Sequence, residues 1–159
     1  MNPFAAPYLY GLDAPPPREA VEAYVTALVV IARADGIVES EGRIIQGVAD
    51  ILGAPPFTVS RALEECDRSH LDAAVETLKE TPYLLDLLYR DALLVVRADG
   101  HQSSQETEFL LRLSAQLGLS RARRARASEA ADLFGSLRQA MIDLVGDEAE
   151  PTVVAAVPD

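Results

Sequence analysis

The sequence predicts an all-α fold, a single bundle of about seven helices with an internal pseudo-twofold repeat. Apolar residues recur at helical spacing through the middle of the chain, and no stretch shows the apolar-polar alternation of a strand. The tetrapeptide "RADG" occurs twice, at residues 33–36 and 97–100, each time after an apolar run. Because 49% of the 159 residues are hydrophobic, the chain can bury one sizeable core.

Three regions are expected along the chain: a Pro/aromatic amino-terminal segment (1–16), a helical domain (17–146) and a flexible acidic tail (147–159). Five of the first 17 residues are proline, which predicts that the first segment is not helical. It holds Phe4, Tyr8 and Tyr10, a third of all nine aromatic residues. Such a concentration suggests docking onto the bundle or onto a partner, while a plain disordered terminus is an equal alternative.

The first two helices of the domain are predicted from apolar spacing. Residues 17–34 carry one apolar stripe, and residues 40–52 carry a second that stops at Gly53, a natural left-handed helix end. Pro55 and Pro56 then open a short helix that runs through Leu63 and Cys66.

The later helices are predicted from capping residues. Ser69 is expected to cap a helix over residues 70–79, and Thr81 a long helix over residues 82–98. Ser103 and Glu106 form a capping box for a helix that ends before Gly118. Ser120 caps the last helix, which extends to residue 146 and can bend at Gly135.

The two "RADG" segments belong to a longer repeat, with halves at about residues 21–53 and 85–118. A shift of 64 residues places "LVVIARADG" over "ALLVVRADG", and one extra residue in the second copy then aligns "ILG" with "QLG". Two copies are too few for a solenoid, so the halves are expected to pack on each other as one bundle.

Each repeated turn has a structural and a functional interpretation. Structurally, a glycine ends one helix, a polar residue starts the next, and Arg33 and Arg97 can pair with Asp35 and Asp99 across the pseudo-symmetric interface. Functionally, the turns gather oxygen ligands suited to a hard divalent cation, calcium or magnesium by preference. The candidate ligands in the two turns are Asp35, Glu39, Glu41, Asp99, Ser103 and Glu106. An EF-hand is excluded because Ile31 and Arg33 occupy the places of its first and third ligands.

The repeated unit is an apolar helix, an Ala-Asp-Gly turn, and an acidic capped helix that ends at Leu-Gly. Two such units resemble the TerB-like domain of tellurite resistance proteins and of DnaJ-like membrane chaperone proteins. The resemblance covers roughly residues 18–145. It implies a helical bundle with internal twofold symmetry, divalent metal binding and a link to bacterial stress response.

Carried over by position, the resemblance points to Asp35 and Asp99, with Glu106 at the acidic position seven residues after the second aspartate. Gly42 stands at the corresponding place in the first copy, so a metal site is expected mainly at the second turn, where His101 offers a nitrogen ligand.

Composition and motifs narrow the class of protein. The net charge of -11 argues against nucleic acid and anionic membrane surfaces as partners. The single Cys66 fits a reducing compartment, and no secretory signal or spanning apolar run is found, so a cytoplasmic protein is expected. No nucleophile elbow, P-loop, dinucleotide turn or H-E-x-x-H motif is present, so an enzyme is not expected.

Two hypotheses follow. The first is a TerB-like protein that binds a divalent cation and serves a stress-response complex. The second is a protein-protein adaptor without metal, in which the bundle is a scaffold and the aromatic segment or the basic cluster is the docking site. That cluster comprises Arg121, Arg123, Arg124 and Arg126, for which a solvated helix start is the structural alternative. The oligomeric state is left open.

Overall fold

The computed structural model describes residues 1–33, 36, 39–98 and 104–146, with the backbone alone for residues 105 and 142–146. These residues form eight helices and no strand, which confirms the all-α prediction. The helices are α1 (Ala5–Tyr10), α2 (Arg18–Ala32), α3 (Glu39–Leu52), α4 (Thr58–Glu65), α5 (His70–Leu78), α6 (Tyr83–Val96), α7 (Ser104–Gln116) and α8 (Arg121–Gly146).

Helices α2 and α6 form the centre of the bundle. Helix α2 packs against α3, α4, α5 and α6, and α6 also contacts α3, α5, α7 and α8. Both helices are apolar around most of their circumference, which is typical of a helix enclosed by others. Fully buried side chains from both helices fill the core, among them Tyr24, Val25, Leu28, Leu84 and Leu88.

The order of helices repeats along the chain, as the sequence predicts. Helices α2, α3 and α4 are followed after α5 by α6, α7 and α8, and the starts of α2 and α6, like those of α3 and α7, lie 65 residues apart. The pairings within the halves correspond as well, because α2 contacts α3 and α4 while α6 contacts α7 and α8.

The amino-terminal segment departs from its prediction. Residues 5–10 form a helix, α1, although the prolines of this segment predict that it is not helical. The prediction is wrong because Pro7 is the third residue of α1, and backbone N–H groups of a first turn need no partner within the helix. The Asn2 side chain accepts hydrogen bonds from the backbone N–H groups of Phe4 (3.0 Å) and Ala5 (2.9 Å), so it caps this turn.

Glycine and serine mark several helix ends as expected. Gly53 and Gly118 have positive φ of 78° and 66°, the left-handed conformation predicted after α3 and α7. The Ser120 hydroxyl accepts a hydrogen bond from the backbone N–H of Arg123 at 3.3 Å, which confirms it as the cap of α8. Helix α8 continues through Gly135 without interruption.

Two other predicted caps are wrong. Before α5, Asp67 accepts hydrogen bonds from the Ser69 backbone N–H (2.9 Å) and hydroxyl (2.5 Å), so Asp67 and not Ser69 is the capping residue. These bonds from Ser69, with a further contact to His70, hold the pKa of Asp67 at about 2. The Thr81 hydroxyl donates to the Leu78 carbonyl at 3.3 Å, so it closes α5 and does not cap α6.

The core predicts the effect of one truncation. We expect Leu88→Ala to lower the free energy of unfolding by about 2–5 kcal/mol, because it opens a cavity beside fully buried neighbours. Urea unfolding followed by circular dichroism measures the loss. Leu111→Ala on α7, where the side chain is exposed, is the matched control and should change stability by only about 0.5 kcal/mol. Equal losses in the two variants would contradict the packing described here.

Candidate functional site

The two acidic turns follow the carboxyl ends of the central helices. Helix α2 ends at Ala32 and α3 begins at Glu39, while α6 ends at Val96 and α7 begins at Ser104. Gly36 has a φ of 96°, the left-handed conformation that its place in the turn predicts. Of the predicted metal ligands, Asp35, Asp99, His101 and Ser103 lie outside the described residues.

The three described carboxylates of the predicted site have different surroundings. Glu39 is exposed and forms an ion pair with Arg43 one turn along α3, and the hydrogen bond from Arg43 lowers the pKa of Glu39. Glu41 is only 8% exposed, although it lies in the first turn of the same helix. Glu106 is half-buried in the first turn of α7. Glu41 and Glu106 are therefore held closer to the bundle than Glu39.

Within the described ranges, no three His, Cys, Asp or Glu residues come together as a group that could hold a metal ion. The predicted ligand set combines described and undescribed residues. It therefore stays a prediction.

The arginines of the two "RADG" segments connect the turns to other helices. Arg33 donates a hydrogen bond to the carbonyl oxygen of Cys66, in the link between α4 and α5. Arg97 pairs with Asp132 on α8 at 2.7 Å and also lies 3.4 Å from the Ser128 hydroxyl. Each arginine thus fixes the end of a central helix to a later part of the chain.

The predicted aromatic docking residues divide into two groups. Phe4 and Tyr8 lie four residues apart at α1 and are 79% and 89% exposed. Tyr10 is buried, and its ring docks onto the bundle. The amino-terminal segment therefore packs back on the domain through Tyr10, and it presents Phe4 and Tyr8 to solvent.

The basic cluster is also divided. Arg123 pairs with Asp86 of α6 through two hydrogen bonds of 2.8 Å, and Arg124 lies 3.5 Å from the Ser114 hydroxyl of α7. Arg121 and Arg126 are exposed. A cleft of about 340 Å³ lies between α6 and α8, and its lining includes Asp86, Arg90, Arg123 and Arg126.

A buried charged network joins α1, α2 and α6. Asp91 is completely buried, and its Oδ2 accepts hydrogen bonds from the hydroxyl groups of Tyr10 (2.7 Å) and Tyr24 (2.8 Å). Its Oδ1 accepts a hydrogen bond from Arg90 Nε at 2.7 Å. These three hydrogen bonds replace the water molecules that would otherwise solvate the carboxylate, and a buried charge needs such partners.

Arg90 extends this network to the end of α1 and to α8. Its Nη1 donates to the carbonyl oxygen of Leu9 at 2.6 Å. The guanidinium carbon lies 4.4 Å from the ring centre of Tyr10 and 4.8 Å from that of Phe134, so the cation stacks between two aromatic rings. Burial lowers the pKa of Arg90, but the attraction of Asp91 outweighs it and the net shift is upward.

This network is absent from the sequence-based predictions, although the sequence contains a signal for it. Asp91 lies seven residues after Leu84 and three after Leu88, on the helical stripe that faces the core. A carboxylate on such a stripe indicates a buried polar partner, and tyrosines are the residues able to reach it from neighbouring helices.

Comparison with known proteins identifies the class of fold. No protein-family model matches the sequence, and no curated protein sequence matches it. Among solved structures, the chain is similar to a tellurite resistance protein from Nostoc punctiforme, with a TM-score of 0.71, 17% identity and 93% coverage of each chain. The all-α TerB-like fold implied by the sequence resemblance is therefore confirmed as a fold. No described helix is long and apolar enough to cross a membrane.

The network predicts a loss of stability at alkaline pH. Burial, reinforced by the negative charge of Asp91, raises the pKa of Tyr10 and of Tyr24 well above 10. The two tyrosines ionise near pH 10 in the unfolded chain but stay protonated in the folded protein. Their contribution to the free energy of unfolding is therefore fully present below pH 10 and is lost as the pH rises above it. We expect a fall of about 1.4 kcal/mol per pH unit for each tyrosine, measured by urea unfolding between pH 8.5 and 11.

Two variants, one buried and one exposed, test whether this pH dependence comes from the network. Tyr10→Phe should halve the slope of the unfolding free energy against pH, because one of the two buried ionisable hydroxyls is lost. Tyr8→Phe alters an exposed tyrosine two residues away and should leave the slope unchanged. A slope that is the same in Tyr10→Phe as in the natural protein would contradict the network.

Proposed function

We propose that this chain is a non-enzymatic TerB-like protein that binds a divalent cation at its two Asp-Gly turns. It acts with a protein partner in a bacterial stress-response complex of the tellurite-resistance kind. Calcium or magnesium is the favoured ion, because the candidate ligands are mainly oxygen atoms. A cytoplasmic setting is part of the proposal, since a protein with the single Cys66 has no internal disulfide to lose in a reducing compartment.

The duplicated turn is the observation that carries this proposal. Each of the two central helices leads into a turn with the sequence Ala-Asp-Gly, and the first turn of the following helix holds two carboxylates in α3 and one in α7. Glu41 and Glu106, the two drawn in toward the bundle, belong to different halves. The fold similarity to a tellurite resistance protein adds support for a related role.

Thermal unfolding with and without cations tests the metal site. We expect millimolar calcium or magnesium to raise the melting temperature, because a ligand at 100 times its dissociation constant adds about 2.7 kcal/mol. Manganese and zinc serve as comparisons. The rise should disappear in the double variant Asp35→Asn plus Asp99→Asn. Asp99→Asn alone should reduce the rise more than Asp35→Asn alone, since only the second turn has an acidic residue, Glu106, seven positions after its aspartate.

The control removes two negative charges elsewhere. Glu64→Gln plus Glu65→Gln changes exposed residues at the end of α4 and should keep the full cation effect. If no cation raises the melting temperature of the natural protein, the metal site is disproved. An equal loss in the control would assign the effect to general charge screening.

The second candidate is a protein-protein adaptor without metal. The exposure of Phe4 and Tyr8 favours it, because both rings project from a helix that Tyr10 holds against the domain. Exposed aromatic residues on a rigid support are typical of binding hot spots. Exposed Arg121 and Arg126 offer a second docking site, for acidic groups.

Substitution of the exposed rings tests the adaptor. Phe4→Ala plus Tyr8→Ala should abolish capture of a specific partner from a lysate while leaving the melting temperature unchanged. Phe57→Ala, which removes another exposed aromatic ring, is the control and should retain capture. Deletion of residues 1–16 is a poorer test, because it also removes buried Tyr10. Retained capture in the double variant would exclude α1 as the docking site.

A further inference from the structure

One side of α8 presents a row of apolar side chains to solvent. Leu133, Leu137 and Met141 are 71%, 57% and 54% exposed. They lie four residues apart in one helix, so they share a side and form a continuous strip. Single exposed leucines are ordinary, but a contiguous row indicates a surface that binds something.

The row continues toward the beginning of α8 through Ala130 and Arg126. Both residues line the cleft between α6 and α8. Because positions 126, 130, 133, 137 and 141 are spaced by three or four, they follow one side of the helix. We call these five residues the α8 track. It is apolar toward the carboxyl end of α8 and positively charged toward the amino end.

The positive charge at the amino end of the α8 track, that of Arg126, is exposed and can bind an acidic group. Neighbouring Arg123 is engaged by Asp86. Arg126 is exposed, and no carboxylate in the described part of the chain pairs with it. The track therefore suits an occupant that is apolar at one end and acidic at the other.

Residues 147–159, which directly follow α8 and lie outside the described residues, have this chemistry in the required order. The sequence "DEAEPTVVAAVPD" has an acidic stretch, then Pro151, then the uncharged run 152–157, and then Asp159. Pro151 cannot lie in the interior of a continued α8, so the chain can leave the direction of the helix before it. If the chain returns along α8, the valine-rich run meets Leu133, Leu137 and Met141, and Asp159 approaches Arg126.

The lengths agree. From Gly146 back to Arg126 is 20 residues of helix, roughly 30 Å at 1.5 Å per residue. If residues 147–150 make the reversal, residues 151–159 in an extended conformation span roughly 26 Å at 3.3 Å per residue. The few ångströms that remain are within the length of an arginine side chain.

We propose that residues 151–159 fold back and bind the α8 track, with the run 152–157 on the apolar row and Asp159 paired with Arg126. This departs from the expectation of a flexible tail. A second copy of the chain is a poorer occupant, because a stable interface needs about 800 Å² and about 20–30 residues from each partner. A tethered segment binds through a smaller surface, since its effective concentration is in the millimolar range.

A single tryptophan in the tail tests the proposal. The chain has no Trp, so Val154→Trp gives the only indole emission in the protein. We expect an emission maximum shifted to shorter wavelength than that of the same variant in urea. Adding Leu133→Ser and Leu137→Ser should abolish the shift, because the apolar row is lost, while circular dichroism shows that the helices are retained.

Two controls isolate the track from general surface effects. Leu111→Ser removes an exposed leucine on α7 and should leave the shift unchanged. Arg126→Glu should reduce the shift, because it opposes Asp159. Arg121→Glu makes the same charge change at an exposed residue on the opposite side of α8, and it should leave the emission shift unchanged.

Three results would overturn the binding of the tail to the apolar row. The first is an emission maximum equal to that in urea, which means a solvated tail. The second is a shift that survives Leu133→Ser plus Leu137→Ser, which means that the tail binds elsewhere. The third is a shift that appears only as protein concentration rises, which means binding between copies. An Arg126→Glu variant identical to the parent would refute the pairing with Asp159.

Discussion

The burial of one carboxylate, that of Asp91, is the constraint on which the arrangement of several helices depends. A charge without access to water must be neutralised and hydrogen-bonded, or the folded state loses several kcal/mol. Tyr24 supplies a donor from α2, Tyr10 from α1 and Arg90 from α6 itself. Because these donors must converge on one group, the positions of the three helices relative to one another are fixed by geometry that apolar packing alone does not impose.

This network also explains why the amino-terminal segment belongs to the domain. Helix α1 has only six residues, and an isolated helix of that length is not stable in water. Tyr10 anchors its end through the Asp91 hydrogen bond and the stacked Arg90 guanidinium, which also binds the Leu9 carbonyl. The segment therefore contributes to the core on one side, and it holds Phe4 and Tyr8 on a fixed support on the other.

The two halves share an order of helices but differ in their centres. By the 64-residue shift, Arg90 and Asp91 of α6 correspond to Thr26 and Ala27 of α2. The second half thus holds a buried ion pair where the first half holds a threonine and an alanine. Two parts that lack a counterpart in the repeat, α1 and the later portion of α8, both contact this ion pair, since Arg90 stacks between Tyr10 and Phe134. The acidic turns, in contrast, follow the same helix ends in both halves.

The sequence by itself determined the helical class, the order of the repeat and most helix ends, because apolar spacing and left-handed glycines act over a few residues. It also determined the candidate ligands Glu39, Glu41 and Glu106, but not which of them faces the bundle. Only the tertiary structure decided that Tyr10 is buried while Tyr8 is exposed, and that Asp91 lies in the core. These outcomes depend on partners far away in sequence. Tyr10 and Asp91 are 81 residues apart, and no local pattern records which of several tyrosines meets a buried carboxylate.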